Sequence, residues 1–332
     1  MIWISNEFIR NWLLKLDFHN RAYVYIFLNR NIECIPPSYL SGDARRLNWV
    51  FAPGGNKVST DLKSIINYLK EKRGFDFSGY RTSMIERRVN QRLSATSCKT
   101  YPEYLRYLKK QPGELDHLVD VLTINVSRFF RDTLTFEYIA DRILPEIVYK
   151  KKKTSDPSLR IWLAGCSMGE EPYSIAILIN ELFEKEEMEV DINIFATDID
   201  ARTLKKAEKA IYPSESIKNV KYRLLKKYFV PKGESFRLIA KIKDMVSFSP
   251  YDLLDKRSYA PPESIFGSFD MIFCKNVLIY FNAEHQDLIF DKLYRSLGKG
   301  GYLILGEAEA PSTKYQRRFR KVNTCCHIYQ KK

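Results

Sequence analysis

The sequence predicts a doubly wound, Rossmann-like α/β fold, preceded by a helical domain and carrying a small antiparallel β insert. Three observations predict it. From residue 159 onward, short apolar runs alternate with amphipathic helical patterns, as in a parallel sheet covered on both faces. Before them, residues 59–124 repeat apolar side chains at i, i+3, i+4 and i+7, which is helical spacing. Between Tyr212 and Asp244 the pattern changes to short runs around Gly233, as expected for tight antiparallel strands.

In chain order, residues 1–57 are aromatic and basic with weak periodicity and end in Pro53-Gly54-Gly55. They are expected to be an extension: either a start-site artefact, with the natural protein beginning at Val58, or an interaction arm. Ser59-Thr60-Asp61 offers helix-capping side chains ahead of Leu62, Ile65, Ile66 and Leu69. A second helix carries Met84, Ile85, Val89 and Leu93 on one face and Arg81, Arg87, Arg88 and Arg92 on the other. Tyr101-Pro102-Glu103 opens a third, and Leu115 to Ile124 form a fourth. Strands are expected at Leu159–Leu163, Ile192–Ala196, Met245–Phe248, Phe269–Cys274 and Tyr302–Leu305. Helices are expected at Pro172–Phe183, Ala201–Ala207 and Glu284–Leu297, and an edge hairpin at Phe319–Tyr329. The resulting domains are 1–57, a helical 58–140, and an α/β 141–332 with its β insert at 213–246.

Bulk properties narrow the classes. A chain of 332 residues with 45% hydrophobic and 14% aromatic content can bury a sizeable core, which excludes global disorder. The net charge of +14 predicts an acidic partner. None of the six cysteines forms a C-x-x-C pair and the four histidines do not cluster with them, so no metal site is expected. Cys166 and Cys274 end apolar runs, where a thiol packs as a small hydrophobe. No apolar run is long enough to span a bilayer, so no membrane insertion is expected.

The densest chemistry lies in Leu159 to Ala176, where an apolar strand enters the turn Gly165-Cys166-Ser167-Met168-Gly169 and Glu170-Glu171 open a helix. Such a turn holds a nucleotide-like ligand at the carboxyl end of the first strand. The G-x-G-x-x-G spacing of dinucleotide sites is missing, and paired acids would repel phosphate. A ligand with a cationic, hydroxyl-rich face fits better, and S-adenosylmethionine has both properties.

Four segments together resemble one family. Leu122 to Arg131 (LTINVSRFFR), Trp162 to Ala176 (WLAGCSMGEEPYSIA), Ala196 to Asp200 (ATDID) and Phe269 to Phe281 (FDMIFCKNVLIYF) are similar to motifs of the CheR chemotaxis-receptor glutamate methyltransferases. The resemblance covers residues from about 60 to 330. It implies a class I methyltransferase domain, S-adenosylmethionine as cofactor, and transfer of a methyl group to glutamate carboxylates on the cytoplasmic helices of chemoreceptors. It also implies a cytoplasmic protein, expected to be a monomer.

A glutamate carboxylate is already ionised at neutral pH, so the enzyme needs positioning and water exclusion more than a general base. The resemblance assigns cofactor binding to Asn125, Ser127, Arg131, Gly165, Glu170, Glu171, Asp198, Asp252, Leu253, Lys275 and Asn276. Glu171, or its neighbour Glu170, would accept from the methionine ammonium. Asp198 would take the ribose hydroxyls, and Asp252 stands where the family often has an Asn facing adenine. Asp200 is read as a helix cap. Lys275 departs from the family's usual Arg, keeping the charge but losing the planar fork. Arg131 and Tyr280 are the candidate catalytic residues beside the methyl-transfer point.

Between Lys63 and Lys110, twelve Lys or Arg face four acids, so over half of the chain's excess charge lies between those two positions. Arg87, Arg88 and Arg92 are the candidates for meeting an acidic receptor helix. Nucleic-acid methylation, the competing reading of the high charge, lacks an N-P-P-Y motif or a zinc knuckle, so no nucleic-acid partner is expected.

Overall fold

A computed structural model describes residues 24–28, 31–35, 60–123, 127–153, 158–186, 190–264 and 267–332. Residues 1–57 form a separate compact unit from 58–332. In the first, β1 (Val24–Leu28) and β2 (Asn31–Ile35) pair as an antiparallel hairpin.

The larger unit opens with four helices, α1 (Thr60–Arg73), α2 (Thr82–Ala95), α3 (Tyr101–Lys110) and α4 (Pro112–Thr123). The predicted inward residues are the buried ones: Leu62, Ile65, Ile66 and Leu69 on α1, and Met84, Ile85, Val89 and Leu93 on α2. One polar network is sealed into this bundle. Glu114, 6% exposed, accepts from Arg92 Nε at 2.8 Å, Arg92 Nη2 at 2.7 Å and the Tyr104 hydroxyl at 2.7 Å. Burial raises the Glu114 carboxyl, and these three donors more than offset it, leaving its pKa below the ordinary range.

A helical run follows, made of α5 (Thr133–Tyr138), a π turn (Ile139–Ile143) and α6 (Leu144–Lys151). Pro145 stands at the start of α6. It has no N–H to give and crowds the preceding turn, which the wider π turn accommodates. Phe136, Ile139, Ile143, Leu144 and Ile147 of this run sit in the α/β core. The boundary drawn at residue 140 from sequence therefore falls inside an element whose apolar face belongs to the second domain.

The α/β domain contains β3 (Leu159–Ala164), α7 (Glu170–Glu186), β4 (Ile192–Asp198), α8 (Ala201–Lys209), β5 (Ile211–Pro213), α9 (Tyr222–Tyr228), β6 (Phe229–Lys232), β7 (Ser235–Leu238), α10 (Ala240–Lys243), β8 (Val246–Pro250), β9 (Phe269–Cys274), α11 (Ala283–Ser296), β10 (Leu297–Leu305), β11 (Phe319–Lys321) and β12 (Ile328–Lys331). Seven strands form one sheet in the order β11-β12-β10-β9-β3-β4-β8. The five from β10 to β8 are parallel, and β12 and β11 close the edge antiparallel. Alternation along the strands buries both faces: Ile161, Leu163, Met271, Phe273 and Ile304 point into one core, Trp162, Ile272, Leu303 and Leu305 into the other. Strand order reverses about β3, whose neighbours are β4 and β9. That is the switch point where such sheets open a crevice at their carboxyl ends.

The insert is a three-stranded antiparallel sheet, β5-β7-β6, as the sequence predicts. Its flanks carry two short helices that the sequence did not predict, Tyr222–Tyr228 and Ala240–Lys243. Their short length gave too little periodicity to read.

Two ties join the helical and α/β domains. Residues 79–81 run antiparallel to 280–282, with Arg81 N donating to Tyr280 O at 2.8 Å and Asn282 N to Gly79 O at 3.0 Å. A Cβ on Gly79 would lie 2.6 Å from the His285 ring, so the approach admits only glycine without movement. On the other side Arg202 of α8 pairs with Asp116 at 3.3 Å and Asp120 at 2.9 Å, both on α4.

Candidate active site

A cleft lies at the carboxyl ends of β3, β4, β8 and β9 and encompasses about 1000 Å³, counting its open mouth. Both domains line it. Tyr80, Leu122 and Thr123 come from the helical domain, Ser127, Arg128 and Arg131 from the connecting segment, and the rest from strand ends.

The turn after β3 reaches the cleft through Gly165, Cys166 and Ser167. Gly165 has φ +79, and a Cβ there would fall 2.4 Å from Val277 Cγ2, so no other residue fits without displacing the opposite wall. Asp198, at the end of β4, ties the turn down: its Oδ2 accepts from Ser167 N at 2.8 Å and its Oδ1 from Asp200 N at 3.0 Å. Burial raises the Asp198 carboxyl, only partly countered by these amides. Asp200 caps α8, accepting from Arg202 N at 3.0 Å, as expected. Asp252 and Leu253 follow β8 and line the same cleft, with Asp252 Oδ1 accepting from Leu254 N at 2.8 Å. Burial raises the Asp252 carboxyl too.

The two acids of the turn part company. Glu171 lines the cleft. Glu170, 0% exposed, does not: it accepts from the Ser216 hydroxyl at 3.3 Å and from the Ser127 hydroxyl. Successive residues in the first turn of α7 project about 100° apart, so only one can face the ligand. Burial raises the Glu170 carboxyl. Glu170 thus braces the segment around Ser127 from behind.

Lys275 lines the cleft as expected and is paired there with neighbouring acids. Its side chain is 2% exposed, with Nζ 3.0 Å from Glu171 Oε1 and 3.1 Å from Asp132 Oδ2. It donates to Arg131 O at 3.3 Å and lies 4.9 Å from the Phe136 ring centre. Burial would lower the ammonium, but the charges of Glu171 and Asp132 more than compensate and hold its pKa above the ordinary value. Three oxygens converge on a group with three protons, a demand an ammonium meets without the Arg fork. Lys275 therefore orients Glu171 and pins the backbone of Arg131, so that the Arg131 guanidinium is delivered to the cleft.

Asn276 adopts φ +59, and Phe130, Asp132 and Ser167 are also left-handed. Such backbone is costly for non-glycine residues and persists where the surroundings impose it. For Asn276 the imposing group is Glu309, which sequence reasoning missed. Glu309 is 4% exposed and accepts from Asn276 N and Gly306 N, each at 2.8 Å, and from Ile279 N at 3.3 Å. Burial raises its carboxyl, and the amides pull it back only in part. Replacing Glu309 with Ala strands these donors, so a loss of about 3 kcal/mol is expected, or about 6–12 °C in Tm for a chain of this size. Thermal unfolding followed by circular dichroism checks this, and Glu309→Gln, which keeps an acceptor oxygen, should recover part of the loss.

At the mouth, Tyr280 and Arg131 line the cleft together. Burial raises the Tyr280 hydroxyl, opposed by the nearby charges of Arg131, Arg88 and Arg87. It therefore remains a protonated donor at neutral pH. Of the three arginines expected to face a partner, Arg87 is exposed and Arg88 lies near Tyr280 with its Nε lacking a hydrogen-bond partner. Arg92 is spent on Glu114, because its position turns it toward α4; it is a bundle residue. Asn125 lies outside the described residues. Tyr80 and Asp132 are further lining or bracing residues with no signal in the sequence beyond Asp132's place after Arg131.

The lining suits S-adenosylmethionine. Carboxylates at Glu171, Asp198 and Asp252 offer acceptors to an ammonium, a diol and an amino group. Ser167, another lining residue, keeps a buried hydroxyl with no protein partner among the described residues. A Rossmann-like sheet with this cleft at its switch point defines a class I S-adenosylmethionine-dependent methyltransferase. The family comparisons carry the assignment further: residues 60–123 match the CheR methyltransferase all-alpha domain and residues 125–328 the CheR methyltransferase SAM-binding domain. The chain is 33% identical over 257 residues to a chemotaxis protein methyltransferase of Borreliella burgdorferi, covering 76% of this chain and 89% of that one. It is 34% identical over 271 residues to chemotaxis protein methyltransferase 2 of Vibrio cholerae, covering 80% and 91%. The chain belongs to the CheR methyltransferase family.

Proposed function

We propose that this enzyme transfers a methyl group from S-adenosylmethionine to glutamate side-chain carboxylates on the cytoplasmic helices of chemoreceptors. The observation that carries this reading is the cationic mouth. The charges of Arg131, Arg88 and Arg87 reach the Tyr280 hydroxyl and outnumber that of Glu309, over a cleft whose described lining contains no histidine. A carboxylate substrate is ionised before it arrives. It needs orienting cations, which this mouth supplies, and no base to remove a proton.

The cofactor, when bound, supplies a methyl group made electrophilic by its sulfonium. The protein's part is placement. Glu171, held by Lys275, accepts from the methionine ammonium; Asp198 accepts from the ribose; Asp252 and Leu253 face the adenine. Arg131 and the Tyr280 hydroxyl orient the incoming carboxylate, and Tyr80 and Phe281 narrow the cleft against water. Arg87 and Arg88 steer the acidic receptor helix. No helix among the described residues is long and apolar enough to cross a membrane, and we place the enzyme in the cytoplasm as a monomer meeting the receptor's cytoplasmic portion.

The test is incubation of the full chain with methyl-labelled S-adenosylmethionine and receptor-bearing membranes. Base-labile label on the receptor is expected. Label in RNA instead, or none on the receptor, overturns the reading. Arg87→Glu should lower kcat/KM for the receptor about tenfold at low ionic strength and less at high salt, as expected for steering.

A further inference from the structure

Lys292 lies on the inner face of α11, among Ile289, Phe290, Leu293 and Ser296. It is 5% exposed, an unusual place for an ammonium, and burying one is costly unless it is paired. Its partners all belong to one segment. Nζ donates to the Tyr251 hydroxyl at 2.8 Å and to Asp255 O at 2.6 Å, and lies 4.6 Å from the Tyr251 ring centre. Asp255 and Asp252 are the carboxylates whose charge reaches it. Asp255 is itself clasped by Arg257, at 2.7 Å, and Asp252 also feels Asp76 of the helical domain. Burial pulls the ammonium down to about 8 against those two acids, so it is largely charged at neutral pH.

The segment in question, 251–261, contains no helix or strand. Its first three residues, Tyr251, Asp252 and Leu253, line the cleft. A loop without a backbone ladder takes its shape from side-chain ties. Tyr251 N donates to Asp198 O at 2.9 Å, and several side-chain ties come from one helix. Besides Lys292, Ser296 donates to Tyr259 O at 2.6 Å, and the Arg295 guanidinium stands 4.8 Å from the Tyr259 ring centre. The Tyr251 hydroxyl passes the hold onward by donating to Ser258 O at 3.0 Å.

We propose that Lys292 is a positioning residue for the adenosine end of the cofactor: from behind the wall it sets Tyr251–Asp255 in the shape that receives adenine. It does not line the cleft and touches no ligand. The proposal rests on the reading of this cleft as the S-adenosylmethionine site, and the experiment separates the two.

The full chain, Lys292→Met and Tyr251→Phe are titrated calorimetrically with S-adenosylhomocysteine and with 5′-methylthioadenosine, which lacks the amino-acid end. Lys292→Met should weaken both ligands about tenfold, the hold of one charge-assisted hydrogen bond. In turnover it should raise KM for S-adenosylmethionine by the same factor, with kcat at saturation and KM for the acceptor unchanged. Tyr251→Phe keeps the ring and loses the acceptor, so a smaller loss, about threefold, is expected. If the unaltered chain binds neither ligand, the cleft reading falls. If it binds both and Lys292→Met matches it, or spreads its loss over kcat and the acceptor KM, the Lys292 proposal alone is overturned. Should Lys292→Met not fold, unchanged affinity in Tyr251→Phe overturns it.

Discussion

Lys275→Met is expected to destabilise the protein by about 3–5 kcal/mol, because removing one member of a buried ion cluster leaves the others uncompensated. Here the residue left behind is not one carboxylate but two, Glu171 and Asp132, both within 3.1 Å of the lost ammonium. Met fills similar volume, so a cavity contributes little to the loss. For a chain of this size the drop corresponds to about 6–20 °C in Tm, measurable by thermal unfolding. The same change should release Glu171 and the Arg131 carbonyl together, so calorimetric affinity for S-adenosylhomocysteine should also collapse. Lys275→Arg restores the charge in the form the family usually carries and should recover most of both quantities. A Lys275→Met protein that melts and binds like the original would show that the cluster orients nothing.

Arg131→Ala is expected to lower methyl transfer at saturating S-adenosylmethionine by about 100-fold or more, the scale of losing one pre-aimed electrostatic group or about 1 Å of alignment. It should cost less in Tm than Lys275→Met does. The reason is that Arg131 is tied into the fold through its backbone: its carbonyl accepts from Lys275 Nζ and its amide donates to Arg128 O. Alanine retains both. The two variants thus separate the frame from the group it carries, since Lys275→Met should lose stability and binding, and Arg131→Ala transfer. An Arg131→Ala enzyme with unchanged turnover would remove Arg131 from the reaction.

The sheet, its strand ends and much of the cleft lining were legible in the sequence. Strands β3, β9 and β10 read as near-continuous apolar runs because both faces are buried, and such runs bounded by a small-residue turn place that turn at the strand's carboxyl end. Asp198 followed from that position, whereas Asp252 and Asn276 came from the resemblance to the CheR family. The helical bundle was legible for a similar reason, since Leu62, Ile65, Ile66 and Leu69 mark one face at helical spacing. Short elements such as Tyr222–Tyr228 were not, because one or two turns contain too few residues to show a period.

What local pattern encodes is which side of an element avoids water, and that assigned the architecture, the switch-point cleft and the acids beside it. It does not encode which of two adjacent acids faces the ligand, or whether an arginine is free. Glu170 turned inward to Ser216 and Arg92 inward to Glu114 because the packing of neighbouring elements supplied partners there. Likewise Lys275 meets Arg131 across 144 residues of chain, Glu309 braces Asn276 across 33 and Lys292 props Tyr251 across 41. A buried charge takes its role from whatever the fold brings within about 3 Å of it, and that neighbourhood exists only once distant segments have packed.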